Sequence, residues 1–382
     1  MKKLLALTLL FTLCLSGCGT PEVNETPSTQ EKTEVSEKSP HDLAEEISIQ
    51  YTDSQFNNLP IKATTDVFAM DTVMSLTVYS KDKETAEKAL TDGAKILLEL
   101  DNTLSTNIVD SELYQLNKLG NMALGEDGKA LMNYAQAFYQ KTDGIFNIAI
   151  YPLVKAWGFT TNSFQVPSKE EIEKLLPLTQ LSDVHYDETT GIIDFEKKGM
   201  GIDFGGIAKG YASQKVISKF KEDGITSALI SLGGNVHLLG KKPTGKNFVV
   251  GIQNPNNPEE YFCTIESNDE SIITSGAYQR YFEKDGRLYH HIIDPRTGEP
   301  SNQDLTSVTI ISKDSTLADT YSTTLYILGK EKAIAYWKAH SDEFDMVLVD
   351  KENKVYISEN LASRYQDNNF ATPQIIKKVG NS

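Results

Sequence analysis

The chain has 382 residues, 37 basic and 53 acidic, a formal net charge of −16, and a hydrophobic content of 39%. That is enough chain for one large domain or two ordinary ones with an ample core. So acidic a surface repels nucleic acid, and it repels an anionic small substrate unless a metal ion or helix N-termini supply local positive potential.

The first residues read "MKKLLALTLLFTLCLSGC". Lys2 and Lys3 form a basic n-region and residues 4–15 an apolar h-region, a secretory signal too short to span a bilayer as a mature helix. It ends in Leu15-Ser16-Gly17-Cys18, which resembles a bacterial lipobox. This predicts a signal peptide over residues 1–17 and a diacylglycerol thioether on Cys18, anchoring the protein to the extracytoplasmic face of the cell membrane. Cys14 leaves with the signal, Cys18 is lipidated and Cys263 is alone, so no internal disulfide is expected. Residues 18–60 read as the lipidated cysteine and a flexible acidic tether, rich in Glu, Thr, Ser and Pro, with no aromatic between Cys18 and Tyr51.

From residue 61 the pattern is globular, and one domain over residues 61–375 is the simplest account. "MSLTVYS" (74–80) alternates as a strand does. Over 84–100, apolar residues at Ala86, Ala89, Leu90, Ile96, Leu97 and Leu100 form a helical face. A second helix runs through "KALMNYAQAFYQKTDG", with Leu131, Ala135 and Phe138 on one side. A third follows "GGIAKGYASQKVISKFKEDG", with Ala212, Val216 and Phe220 spaced by four and Gly224 as its stop. Strands are expected at 191–195, 227–232, 248–252, 307–312, 346–350 and 354–358, and a helix over 331–340. The irregular interleaving predicts an α+β domain and not a regular doubly wound one.

Four stretches carry the candidate chemistry. In "GMGIDFGGIAKGYA" (199–212), Asp203 follows a short strand and Gly205-Gly206 precede a helix. Glycines there allow a ligand to approach backbone N–H groups, although tight helix–strand packing accounts for the glycines alone. The stretch is neither a Walker A loop nor a dinucleotide fingerprint. In "ALISLGGNVHLLG" (228–240) an apolar strand ends in Gly233-Gly234-Asn235, either a plain turn or a ligand wall. In "YHHIIDPRTGEP" (289–300), His290 and His291 lie in an extended segment before an Asp-Pro turn, so they point to opposite faces and one at most joins a given site. In "LADTYSTTLYILG" (317–329), Asp319, Ser322 and Thr323 share one helix face. A carboxylate with two hydroxyls is a hard oxygen set that suits Mg²⁺, and the run reads as a metal seat at a helix start, with Asp319 doubling as a cap.

In this order and spacing the stretches resemble the FAD:protein FMN transferase (ApbE) family of bacterial flavin-transferring lipoproteins. "AMDTVMSL", "DNTLSTNIVDSELYQLN" (101–117) and "GIFNIAIYPLVKAWGF" (144–159) extend the resemblance over most of residues 66–329. It implies a single two-layer, T-fold-like α+β domain behind the lipid-anchored tether, FAD as substrate and Mg²⁺ as cofactor. It also implies a protein acceptor, expected among envelope flavoproteins of electron transfer, whose Thr or Ser hydroxyl receives FMN through a phosphoester bond while AMP leaves. By matching motifs, Met70, Asn107, Phe146, Asn147, Asp203, Lys209, His291 and Ile292 are expected at the FAD site. Gly206 (by its carbonyl), Asp319, Ser322 and Thr323 are expected to hold the metal. Where this chain has Asn147 the family often has Asp; Asn keeps a hydrogen bond and loses the charge.

The residues make chemical sense of that expectation. An acidic protein handling a doubly charged pyrophosphate needs a cation to neutralise it. His291 and Asp319 are the candidate catalytic groups, Asp319 through the metal. His291 is placed either as the base for the acceptor hydroxyl or as a holder of phosphate or flavin; as a base it predicts a rate that rises through about pH 6.5. Water in place of the hydroxyl would make the same site an FAD pyrophosphatase, and a site without chemistry would make the protein a flavin-binding surface lipoprotein.

Overall fold

The computed structural model describes residues 46–161 and 163–378, which belong to one compact unit spanning Lys38–Ser382. The expected signal peptide, Cys18 and the expected tether as far as residue 45 lie outside the described residues. The sheet begins earlier than composition suggests. Ile47, Ile49 and Tyr51 pack against the core, and β1 (Gln50–Asp53) pairs antiparallel with β2 (Ile61–Ala69). The tether boundary at residue 60 is therefore corrected. Ile47 and Ile49 anchor the chain to the core just before the strand and Tyr51 does so within it, and an average taken over an acidic stretch hides them.

β2 and β3 (Thr72–Ser80) alternate as expected, burying Ala63, Val67 and Ala69 against Met74, Leu76 and Val78. Their two-residue turn, Met70-Asp71, has φ of 49° and 60°, the primed-turn geometry that matches strand twist. α1 (Lys83–Leu104) is capped by Asp82, which accepts the Thr85 N–H at 2.7 Å, and buries Ala86, Leu90, Leu97 and Leu100 on the sheet. An excursion follows: α2 (Glu112–Leu119), β4 (Asn121–Ala123), α3 (Glu126–Lys141), a 3₁₀ turn (Ile148–Ile150), α4 (Tyr151–Ala156), α5 (Lys169–Leu175), β5 (Val184–Tyr186) and β6 (Ile192–Phe195). Its three strands form a small sheet of their own.

α6 (Ala208–Glu222) leads back to β7 (Ser227–Leu232) and β8 (Asn235–Leu239), then β9 (Phe248–Asn254), β10 (Asn257–Ser267) and β11 (Ser271–Gly276). A separate hairpin, β12 (Tyr281–Lys284) and β13 (Arg287–His290), precedes β14 (Leu305–Ser312), α7 (Ser315–Leu328) and α8 (Lys330–Ala339). The chain closes with β15 (Asp345–Asp350), β16 (Val355–Ser358), β17 (Tyr365–Asp367) and β18 (Gln374–Ile376).

The main sheet runs β1-β2-β3-β7-β8-β11-β14-β15-β16-β18, antiparallel except for the last pair. Alternation divides its two faces. Val308, Ile310, Met346 and Leu348 pack with the helices, whereas Ile311, Val347 and Val349 pack with Phe248, Val250, Phe262 and Ile265 of the β9-β10-β17 sheet. Helices on a sheet make the two-layer frame, and the β9-β10-β17 sheet covers part of the second face.

Candidate functional site

A cavity of about 500 Å³ opens where the β2–β3 turn, the end of α1, the start of α6 and the middle of α7 converge, a size typical of ligand pockets. Met70, Asn107, Phe146, Asn147, Asp203, Gly206, Lys209, His291, Ile292, Asp319 and Thr323 all line it. Residues up to 253 positions apart are thus brought together, which is a tertiary fact and not a local one.

The entry to α6 is shaped by its glycines. Asp203 Oδ1 accepts the Gly205 N–H at 2.6 Å, and its own N–H donates to the Ile148 carbonyl at 2.8 Å. A Cβ on Gly206 would come within 3.2 Å of the Phe146 ring, so the glycine keeps ring and helix entrance close. Ile207, at the cap position, offers no side-chain acceptor, and the first-turn Gly210 N–H is taken from outside the helix by Asp319. Lys209 follows in its first turn, at the cavity wall. A helix N-terminus with a lysine is a natural seat for phosphate.

The Asp319 run is not a helix start. Asp314 caps α7, accepting the Leu317 N–H at 3.0 Å, so Asp319 sits in the second turn and its capping role is corrected. The aspartate five residues upstream competes for the cap and wins because its backbone is extended, as a cap requires. Asp319 is 5% exposed. Its Oδ2 accepts the Gly210 N–H at 2.8 Å and its Oδ1 the Asn235 side-chain amide at 3.0 Å. Burial raises its pKa, and the nearby Lys209 charge and the two donors offset this in part.

The two hydroxyls of the run part company. Thr323 lines the cavity, whereas Ser322 is fully buried behind it, donating to the Asp319 carbonyl at 2.8 Å and lying 2.8 Å from Ser275 Oγ. Ser275, at the end of β11, does line the cavity and reaches Thr323 Oγ1 at 3.3 Å.

The adjacent histidines take opposite tautomers. His290 Nε2 donates to the Ser301 carbonyl at 2.9 Å and its Nδ1 accepts the Ile292 N–H at 3.3 Å, away from the cavity. His291 Nδ1 lies 3.1 Å from the Arg280 carbonyl, which can only accept, so the proton is on Nδ1 and the lone pair on Nε2. Burial first, then the Lys209 and Arg280 charges, push the His291 pKa down to about 3, against the hydrogen bond to the Arg280 carbonyl, which raises it. The expected rise through pH 6.5 is therefore corrected: this imidazole is neutral long before that.

Asn147 lines the cavity with both ends of its amide engaged. Oδ1 accepts the Ala149 N–H at 2.9 Å and Nδ2 donates to the Thr179 carbonyl at 2.8 Å. An ionised Asp at this position would have no donor for Thr179. Sequence reasoning missed Arg280, whose carbonyl holds His291 and whose guanidinium lies 3.7 Å from Asp71 across the hairpin turn. "YQRYF" carries no motif. In the sequence Asn235 reads only as part of a turn, and nothing in its neighbourhood marks Ser275.

A model of the ApbE family matches residues 70–348. The chain belongs to the ApbE family. It is 33% identical over 300 residues to the FAD:protein FMN transferase of Klebsiella pneumoniae strain 342, covering 78% of this chain and 92% of that protein. The FAD:protein FMN transferase of Treponema pallidum strain Nichols is 32% identical over 312 residues, 77% of this chain and 86% of its own. Among solved structures, the ApbE protein of Thermotoga maritima superposes with a TM-score of 0.73 at 29% identity, over 83% of this chain and all of that one. The flavinyl transferase ApbE of Pseudomonas stutzeri, in its apo form, gives 0.68 at 29% identity, over 77% and 92%. The ApbE match begins at Met70, on the hairpin turn at the cavity mouth, and spans every lining residue named above.

The residues present fit a hard divalent cation. Asp101, Asp203 and Asp319 all line the cavity and burial raises the pKa of each, so a cation beside one of them would favour its charged form. Among the described residues no group of three or more His, Cys, Asp or Glu is arranged to hold a metal by itself. Mg²⁺ asks for less: one or two carboxylates, with waters and phosphate oxygens completing the shell.

Proposed function

We propose that this protein transfers FMN from FAD to a Thr or Ser hydroxyl of an acceptor protein, with Mg²⁺, and releases AMP. The observation that carries the reading is the convergence, in one cavity, of the Asp319–Thr323 oxygen pair, Lys209 and the glycine-led entry to α6. The activity named for relatives at 32–33% identity supports it. The acceptor oxygen bonds to the phosphorus on the FMN side of the pyrophosphate. The bond from that phosphorus to the bridging oxygen breaks, and AMP leaves with the electron pair.

Asp319, Thr323 and the Gly206 backbone would hold the metal, with Ser322 supporting through Ser275 and the Asp319 carbonyl. When bound, Mg²⁺ neutralises phosphate charge and the charge developing on the leaving AMP. Lys209 and the remaining N–H groups at the α6 entrance would bind the phosphates beside it. His291, neutral in the free protein with its lone pair on Nε2, would orient the acceptor hydroxyl and take its proton, the charge of the bound phosphates raising its pKa from the value burial sets; the Arg280 carbonyl keeps that tautomer in place. Met70, Asn107, Phe146, Asn147, Asp203 and Ile292 form the walls that fit flavin and adenine.

We propose further that Cys18 carries a lipid anchor on the extracytoplasmic face and that acceptors are envelope flavoproteins on the same side. The lipobox supports this. No helix among the described residues is long and apolar enough to cross a membrane.

Incubating the protein with FAD, Mg²⁺ and envelope proteins of its host tests the proposal. A flavin-fluorescent band that survives denaturing electrophoresis, with stoichiometric AMP, is expected. Free FMN with AMP would instead make the protein a pyrophosphatase, and bound FAD left intact would make it a binding protein.

A further inference from the structure

The Gly233-Gly234-Asn235 turn has a role beyond reversing the chain. Gly233 and Gly234, with φ of 60° and 95°, form a two-residue connection that sets Leu232 opposite Asn235. A Cβ on Gly233 would lie 2.7 Å from Thr72, which is itself at the cavity wall. The turn thus fits against the β2–β3 hairpin and delivers Asn235, 3% exposed, to the cavity end of the sheet. There its amide nitrogen donates to Asp319 Oδ1 at 3.0 Å while the Gly210 N–H donates to Oδ2 at 2.8 Å.

We infer that Asn235 is a positioning residue for the proposed metal ligand: it fixes the plane of the Asp319 carboxylate so that its remaining lone pairs face the cavity. Each carboxylate oxygen accepts about two hydrogen bonds or ligands, and one place on each is taken by a donor from β8 or α6. The other places remain for a cation. A neutral amide suits this task better than lysine or arginine would. It orients the carboxylate without cancelling the charge that attracts the metal, and such outer partners of metal ligands typically govern affinity by about 10- to 100-fold. The inference rests on the reading of Asp319 as a Mg²⁺ ligand.

Two variants and one label test it on the full-length protein. Asn235→Ala removes the amide and its volume; Asn235→Leu removes the amide and keeps the volume. Titration calorimetry with MgCl₂ should show affinity about 10- to 100-fold weaker in both, while FAD binding in EDTA, read by flavin fluorescence, stays within about twofold of wild type. In wild-type protein labelled with ¹⁵N-asparagine, the Asn235 side-chain amide signals should shift on adding Mg²⁺, with the calorimetric midpoint. Wild-type affinity in either folded variant, restoration by leucine alone, or an equal loss of FAD binding in EDTA would overturn the inference. So would Asn235 amide signals that do not respond to Mg²⁺, which decides the matter even where neither variant folds. A wild-type protein that binds no Mg²⁺ at all would instead remove the metal reading of Asp319.

Discussion

At the scale of single residues, burial shifts the pKa of two cavity side chains in opposite directions, Asp319 upward and His291 downward. Asp319→Ala removes the carboxylate proposed for Mg²⁺, and transfer should fall by about 10²–10³, as when a preorganised charge-stabilising group is lost. Single-turnover assays with saturating FAD check this, and thermal unfolding should show the domain still folded. For His291 the sign of the shift decides the pH behaviour. A base whose pKa is depressed to about 3 stays neutral as pH falls through its usual titration range. The kcat/KM for FAD, which reports the free enzyme, should therefore show no acid limb near pH 6.5 from this imidazole. His291→Gln should lower the rate by about 10²–10³ at every pH from 5.5 to 8 without changing the shape of the profile. A limb near 6.5 that vanishes in the variant would mean that the ring is far more solvated than its burial indicates. His290→Gln should leave the rate within about threefold, since that ring faces Ser301 and Tyr326.

At the scale of elements, the contact between α6 and α7 sets where Asp319 stands relative to Lys209. Gly210 makes that contact possible: a Cβ there would meet the Ser315 carbonyl at 2.2 Å and the Asp319 Cβ at 2.7 Å. Backbone atoms this close have no rotamer with which to yield, so Gly210→Ala must spread the two helices. We expect a destabilisation of about 1–3 kcal/mol, read by urea denaturation, together with a loss of transfer larger than the stability change explains. Asp314→Ala offers the contrast. It removes the α7 cap and should cost about 1 kcal/mol, while transfer at a temperature where the domain remains folded stays near wild type, because the cap is more than a turn from Asp319.

At the scale of the whole molecule, catalysis and location are separable. Every lining residue of the cavity lies at or beyond Met70, and Cys18 precedes the sheet by more than thirty residues. Cys18→Ser should therefore release a soluble protein with unchanged transfer to a soluble acceptor. Fractionation after a high-salt wash checks the first part, and a variant that still sediments with membranes would mean that another segment holds it there.

The long periodic elements and the motif-bearing stretches were legible in the sequence for a physical reason: both depend on neighbours within a turn or two. Ala86, Leu90 and Leu97 define α1 without any knowledge of what they pack against. Asp319, Ser322 and Thr323 share a helix face because of spacing alone, and His290 and His291 point apart because successive residues of an extended chain must. The edge strand β1 was obscured because Tyr51, and Ile47 and Ile49 just before the strand, are diluted by an acidic stretch. Only the tertiary structure decided that Thr323 faces the cavity while Ser322 stands behind it, that Ser275 and Asn235 come from distant strands to meet α7, and that the carbonyl of Arg280 fixes the tautomer of His291. Those outcomes depend on burial and on donors and acceptors brought together by folding, and neither quantity is a property of any local stretch of chain.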